Sequence, residues 1–314
     1  MKKRIITATI LILLALPLLL LSSKYELMRR IMEVGLILGA FGAEYELLHM
    51  YSKEKPIHVG VKIVIYLFTI LLYFSVVNWT YTSSGLDFGN TKPMIYIILD
   101  WMHISRFLNP FTVLLALFIS LMAMMIFIPH FEVSDVGKLY VSVIYIGLCV
   151  GAFTVIFTLG MRFIVYLLLI TVFTDIFALV FGMLLGKHKM APIISPKKTW
   201  EGAIGGTCTA LVVGVLFALL YPYISDLFGD KVDFFYGILE FSTAGNVIFI
   251  IILTLFLSVC SQVGDLVASK LKRAYGIKDY SNIFPGHGGI LDRFDSALFA
   301  SAIFLLLIII AVMI

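Results

Sequence analysis

Charge is what this sequence has least of. Asp, Glu, Lys and Arg make up 13% of its 314 residues against 61% hydrophobic residues, where a soluble domain carries about 25% charged residues. With a mean hydropathy of +1.06, an ordinary water-soluble globule is excluded and a polytopic membrane protein is indicated. The 23 Lys and Arg exceed the 19 Asp and Glu by only +4, too small an excess to point to nucleic acid. Cysteine is equally scarce. Cys149, Cys208 and Cys260 each fall inside an apolar run without metal-type spacing, which argues against a disulfide framework and for buried, unpaired thiols. No soluble domain, internal repeat or low-complexity tract stands out.

Apolar windows of about 20 residues mark membrane-spanning helices. They predict nine spans, near Met1–Ser22, Ile31–Met50, Val61–Val77, Phe111–Ile128, Leu139–Leu159, Phe163–Leu185, Ala203–Tyr221, Val247–Ser269 and Phe294–Ile314. The first opens on Lys2, Lys3 and Arg4 and reads as a retained helix rather than a signal peptide, because no small-residue cleavage site follows it. The chain therefore reads as one all-α transmembrane domain, 1–314, with N-terminal helices over about 1–130 and C-terminal catalytic helices and loops over about 139–314. With the N-terminus in the cytoplasm, only seven of the 23 Lys and Arg (Lys24, Arg29, Arg30, Lys92, Arg106, Arg162 and Lys231) fall on the far side. That asymmetry orients the chain. The mixed segment Trp79–Pro110 suggests an interfacial stretch around Met94–Phe107 with a structural role. Glu44 and Glu46 end the second predicted span. Acids at membrane depth are costly unless paired, but near an interface the cost falls, and a structural role is expected for both.

Polar residues concentrate in Ser269–Asp295. This stretch sets Lys270, Lys272, Arg273, Lys278 and Arg293 against Asp279, Asp292 and Asp295, with His287 among Gly286, Gly288 and Gly289. Polyphosphate chemistry needs cations for phosphate oxygens, carboxylates for a divalent metal, and glycine backbone that lets N–H groups approach an anion. All three are here. Asp292 and Asp295, three apart, share a face if the last span is helical from its start, and the glycines permit a tight phosphate-cradling loop. Taken singly, these features also suit topology-setting charges and an ordinary turn.

A second polar block, Ser195–Gly202, reads S-P-K-K-T-W-E-G. Pro196 stiffens the approach and Thr199 caps the following helix, while Lys197 and Lys198 add positive charge beside a helix N-terminus that already favours anions. The plain alternative is a positive-inside loop with Trp200 at the interface. Two acids lie within apolar spans. Asp175, near mid-span, is expected to face a polar cavity. Asp265, nearer the cytoplasmic end, needs a partner: a divalent metal shared with Asp292, or a salt bridge to Lys270 or Arg273.

The ordered combination is more specific than its parts. S-x-L-K-R at Ser269–Arg273, K-D-x-S at Lys278–Ser281 and P-G-H-G-G-I-L-D-R-F-D at Pro285–Asp295, with S-P-K-K-T-W-E-G upstream, resemble the pattern of the phosphatidate cytidylyltransferase (CDP-diacylglycerol synthase) family. The resemblance covers the C-terminal half, and the N-terminal half only in hydrophobic layout. Around Asp175 the chain departs from it: Leu179 and Met183 stand where the family usually has Tyr and Arg, though Gly186-Lys187 is kept. Contacts that depend on that arginine are therefore in doubt.

The resemblance implies a nucleotidyltransferase of phospholipid biosynthesis. CTP and phosphatidate would give CDP-diacylglycerol and pyrophosphate, with Mg²⁺, alone or with a second metal ion, as cofactor. It makes Asp265, Asp292 and Asp295 the expected metal ligands, and Asp265, Asp292, Lys272, Arg273, Arg293 and His287 the catalytic set. Substrate contacts are expected from Ser195, Lys197, Lys198, Thr199, Glu201, Lys278, Asp279, Gly288, Gly289 and Asp175. His287 stays open between a donor to pyrophosphate and a clasp for its loop. The implied setting is the cytoplasmic membrane of a bacterium, with the site facing the cytoplasm, membrane lipids around it and a homodimer as assembly. Two rivals stand beside this reading: a CTP-dependent lipid kinase, which would release CDP, and a transporter or channel, since intramembrane acids also mark ion paths. A transporter has little use for one dense loop of mixed charge and glycine.

Overall fold

In lipid every backbone N–H and C=O must be satisfied within the chain, and a helix does so segment by segment. The computed structural model describes residues 13, 15–86, 88, 91–225, 233–235, 238, 242–284, 286 and 288–313. Among the described residues its regular elements are helices apart from one small hairpin. The elements are α1 (Glu26–Ser52), α2 (Val59–Ser83), α3 (Met94–Trp101), α4 (Pro110–Phe127), α5 (Val133–Leu159, with one wider turn at Ile144–Leu148), α6 (Met161–Leu185), β1 (Lys189–Ala191), β2 (Ser195–Thr199), α7 (Trp200–Ile224), α8 (Thr243–Ala274) and α9 (Leu291–Met313).

Among the described residues seven helices, α2 and α4 to α9, are long and apolar enough to cross a membrane. The chain is an all-α, multi-pass membrane protein. Of the two other predicted spans, the first lies largely outside the described residues. The second is α1, 27 residues long, which carries the buried acids Glu33, Glu44 and Glu46 and is too polar to count by composition. The segment 94–107, expected at the interface, contains the short helix α3. α5 is the central span, with 78% of its apolar window buried against 17% for the peripheral α4.

Helix starts follow their caps. The Thr199 hydroxyl accepts from Gly202 N at the head of α7, as its place before the apolar run predicts, and Asn109 and Ser242 do the same for α4 and α8. α6 and α7 then pack backbone to backbone. A Cβ at Gly202 would lie 2.5 Å from Ala178 O, and one at Gly206 would lie 2.6 Å from Thr174 O. Small residues one turn apart allow such crossings in lipid, where dispersion rather than hydrophobic burial joins helices. This crossing brings the hairpin beside Asp175. Gly206→Leu is expected to force the pair apart and destabilise the fold by roughly 1–3 kcal/mol, read as a lower thermal midpoint in detergent. Gly35→Leu, at a position with nothing within 4 Å of an added Cβ, serves as the neutral control.

Candidate active site

Helices α6 to α9 enclose a polar cavity of about 390 Å³. Its lining includes Asp175 and Leu179 from α6, Lys197, Lys198 and Thr199 from β2, and Gln262, Asp265 and Lys272 from α8. Asp279 comes from the loop that follows, and Asp292, Arg293, Asp295 and Ser296 from α9. Asp175 lies ten residues before the end of α6 at Leu185, about 15 Å along the axis. The cavity therefore reaches well below the helix ends.

Opposite charges from separate elements meet inside it. Lys198 Nζ lies 2.6 Å from Asp265 Oδ2, so the partner of Asp265 comes from the upstream block rather than from Lys270 or Arg273. Lys272 Nζ donates to Asp292 Oδ1 at 2.7 Å and lies 4.0 Å from Asp295 Oδ2. Asp175 and Asp295 both feel the Asp265 charge, and Ser296 N donates to Asp295 Oδ1 at 2.8 Å. Asp265 and Asp295 come close because α8 presses on α9 at Gly264, where a Cβ would lie 2.6 Å from Phe299 Cβ and 2.9 Å from Asp295 O.

The loop into α9 is wound around carboxylates. Asp292 Oδ2 accepts from Tyr280 N at 2.8 Å and Gly289 N at 2.9 Å. Gly288, at φ +84°, has Asp292 Oδ2 2.6 Å from where a Cβ would stand, and a Cβ on Gly289 would run into the Glu46 carboxylate. These glycines thus admit protein carboxylates, where the sequence suggested a phosphate cradle. Tyr280 is buried, its phenol held above the ordinary value by burial, and it donates to Ala268 O at 3.2 Å while the Lys272 ammonium sits 5.1 Å from its ring centre.

Other predicted residues stand apart from the cavity wall. Glu201 accepts from Lys187 N at 3.1 Å and pairs with His188 Nδ1 at 2.6 Å, holding the hairpin's entry. Arg273 is exposed and donates to Ile277 O at 3.2 Å; Lys278 is exposed, and Ser195 opens β2 opposite Ala191. His287 lies outside the described residues. Sequence reading missed Gln262 and Ser296 in the wall. Gln262 precedes Asp265 by three residues, the spacing of one helix face, and its Nε2 donates to Thr207 Oγ1 at 2.9 Å.

The cation expected at this site is Mg²⁺. Asp175, Asp265 and Asp295 supply hard oxygen atoms around one cavity, the chemistry this ion takes. Among the described residues no three acidic, His or Cys side chains converge into a closed ligand cluster, and both Asp292 oxygens already have partners. The residues fit an ion that keeps waters and phosphate oxygens among its ligands, as Mg²⁺ usually does, rather than one in an all-protein cage. A larger cavity of about 530 Å³ lies elsewhere, lined by residues such as Tyr51, His58, His130 and Leu139. It is mainly apolar, and the cations in its wall, Lys55 and Lys138, are tied to Asp135 and Glu54.

Comparison with known proteins places the chain in a family. The model of the cytidylyltransferase family matches residues 2–311. A phosphatidate cytidylyltransferase of Staphylococcus haemolyticus is 32% identical over 299 residues, 95% of this chain and 95% of that protein. The Bacillus subtilis protein of the same name is 42% identical over 176 residues, 54% of this chain and 56% of its own length, and that of Staphylococcus aureus is 42% identical over 170 residues, 54% and 58% of the two chains. With a family model spanning nearly its whole length and a relative aligned almost end to end, the chain belongs to the cytidylyltransferase family.

Proposed function

We propose that this chain transfers the cytidylyl group of CTP to phosphatidate, giving CDP-diacylglycerol and pyrophosphate, in the cytoplasmic membrane of a bacterium. One observation carries the reading. Two polar blocks more than 60 residues apart in sequence meet in a single cavity, pairing cations with acids beside apolar helices. The kinship with phosphatidate cytidylyltransferases supplies the substrates.

Phosphatidate brings its own nucleophilic phosphate oxygen, so the protein needs no covalent intermediate. Its task is to bring two anions together and offset their charge. Lys197, Lys198, Lys272 and Arg293 take the phosphates within the cavity, with Arg273 and Lys278 near its approach. Asp265 and Asp295, beside Asp175 and Asp292, would hold Mg²⁺. When bound, such an ion offsets charge on the α-phosphate and on the departing pyrophosphate. Because the cavity reaches down to Asp175, a headgroup enters it while the acyl chains stay in the bilayer. The excess of Lys and Arg on one side supports a mouth in the cytoplasm, where CTP is found.

Purified protein in detergent is expected to release pyrophosphate only when CTP, phosphatidate and Mg²⁺ are all present, with CDP-diacylglycerol identified by mass spectrometry. Omitting any one, or adding EDTA, is expected to reduce release to background. Release of CDP instead would establish the lipid-kinase rival, and no turnover in a folded, lipid-supplied sample would overturn the reading.

A further inference from the structure

Glu46 lies on α1, in the half of the chain that no motif reaches. Its side chain is nevertheless fully buried, at 0% exposure, against the loop that leads into α9. Ser281 Oγ donates to Oε1 at 2.6 Å, Ile290 N to Oε1 at 2.8 Å and Leu291 N to Oε2 at 2.9 Å. Buried carboxylates persist where donors satisfy them in this way. The N–H groups of Ile290 and Leu291 belong to the start of α9 and have no acceptor within the helix. A carboxylate there also meets the positive end of the helix dipole. Helices usually obtain this cap from a residue just ahead in the chain; α9 obtains it from a different helix.

The close approach is built in on both sides. Gly289 lacks the Cβ that would strike Glu46, and Gly42, four residues earlier on α1, gives way in the same manner to Ile290. Near the other end of the loop, the Tyr51 ring of α1 packs 5.3 Å from that of Tyr275. α1 thus grips the loop at both ends. Gly289, caught against Glu46, donates its N–H to Asp292, and Asp292 and Asp295 occupy the first turns of α9.

We propose that Glu46 is a positioning residue for the transfer reaction. It fixes the start of α9, and with it Asp292 and Asp295, while lying outside the cavity lining. The proposal rests on the cytidylyl-transfer reading.

The test compares Glu46→Gln and Glu46→Asp with Glu44→Gln. Glu44 lies on the same helix and is also fully buried, but it accepts from Thr69 Oγ1 at 3.1 Å and Ser142 Oγ at 2.9 Å, away from the loop. In Glu46→Gln an amide N–H₂ faces donors, and kcat is expected to fall about 100-fold with KM for CTP and phosphatidate nearly unchanged. Glu46→Asp should recover part of the loss. Glu44→Gln should lower the thermal midpoint and keep kcat. Hydrogen–deuterium exchange over 281–291, measured without substrate, is expected to rise in Glu46→Gln and not in Glu44→Gln. Should Glu46→Gln fail to fold, Glu46→Asp and Ser281→Ala give the same two readouts in smaller measure. Unchanged exchange, or raised exchange with kcat per folded protein retained, would overturn the proposal, as would equal behaviour of the two Gln variants. Exchange needs no turnover, so a wild-type chain that transferred no cytidylyl group would sink the functional reading while leaving the grip of Glu46 on the loop measurable.

Discussion

Asp292→Asn is expected to cut pyrophosphate release about 1,000-fold while the helices stay assembled. The carboxylate has three donors: Lys272 on Oδ1, and Tyr280 N with Gly289 N on Oδ2. Asn keeps the shape but replaces one oxygen with a donor. Whichever way the amide turns, its N–H₂ faces either the Lys272 ammonium or the two backbone N–H groups. Lys272, with only 11% of its side chain exposed, also loses its nearest counter-charge. Removing one partner of a buried pair costs about 3–5 kcal/mol, and each 1.36 kcal/mol that appears in the barrier is tenfold in rate, hence the three decades. Part of that cost appears as stability, so the rate is read well below the variant's own thermal midpoint. Release unchanged under those conditions would remove Asp292 from the machinery. Release that falls only in step with the folded fraction would make it a loop clamp alone.

What the sequence disclosed divides by distance along the chain. Local chemistry was legible: the apolar windows, the Thr199 cap and the two polar blocks are all written in neighbouring residues. Partners across the fold were not. Lys270, five residues after Asp265, lies about 140° around the helix and is exposed, so the cation that meets Asp265 is Lys198, delivered by the α6–α7 crossing. The glycines Gly288 and Gly289 announced that something approaches the backbone closely. What approaches is a pair of carboxylates, one of them more than 240 residues away in sequence. Glu46 drew notice as an acid near membrane depth, but with a structural role expected, because no pattern in α1 refers to α9. The span count differs at α1: the sequence reading takes Ile31–Met50 as a span, whereas Glu33, Glu44 and Glu46 leave α1 too polar to qualify by composition, and no local pattern shows that they are turned toward protein partners.

Lys198→Met and Asp265→Asn are each expected to lower kcat/KM for CTP by about 100- to 1,000-fold, and the double variant by little more than the worse single. The two side chains are 2.6 Å apart but remain 25% and 31% exposed. A partly solvated pair of this kind contributes about 1 kcal/mol or less to stability, so the ion pair alone predicts weak coupling. A coupling energy of about 3 kcal/mol, at the upper end for residues in contact, would exceed that contribution and require the pair to act together on the reacting phosphates. Ionic strength separates the remaining alternative. Were Lys198 only to steer CTP toward the mouth, its loss would act on association, weaken as salt rises, and add to the Asp265→Asn loss. Additive, salt-sensitive losses would place Lys198 at the rim. Non-additive losses that persist in salt would make the β2–α8 junction one working site, joining the upstream block to the intramembrane acid of α8.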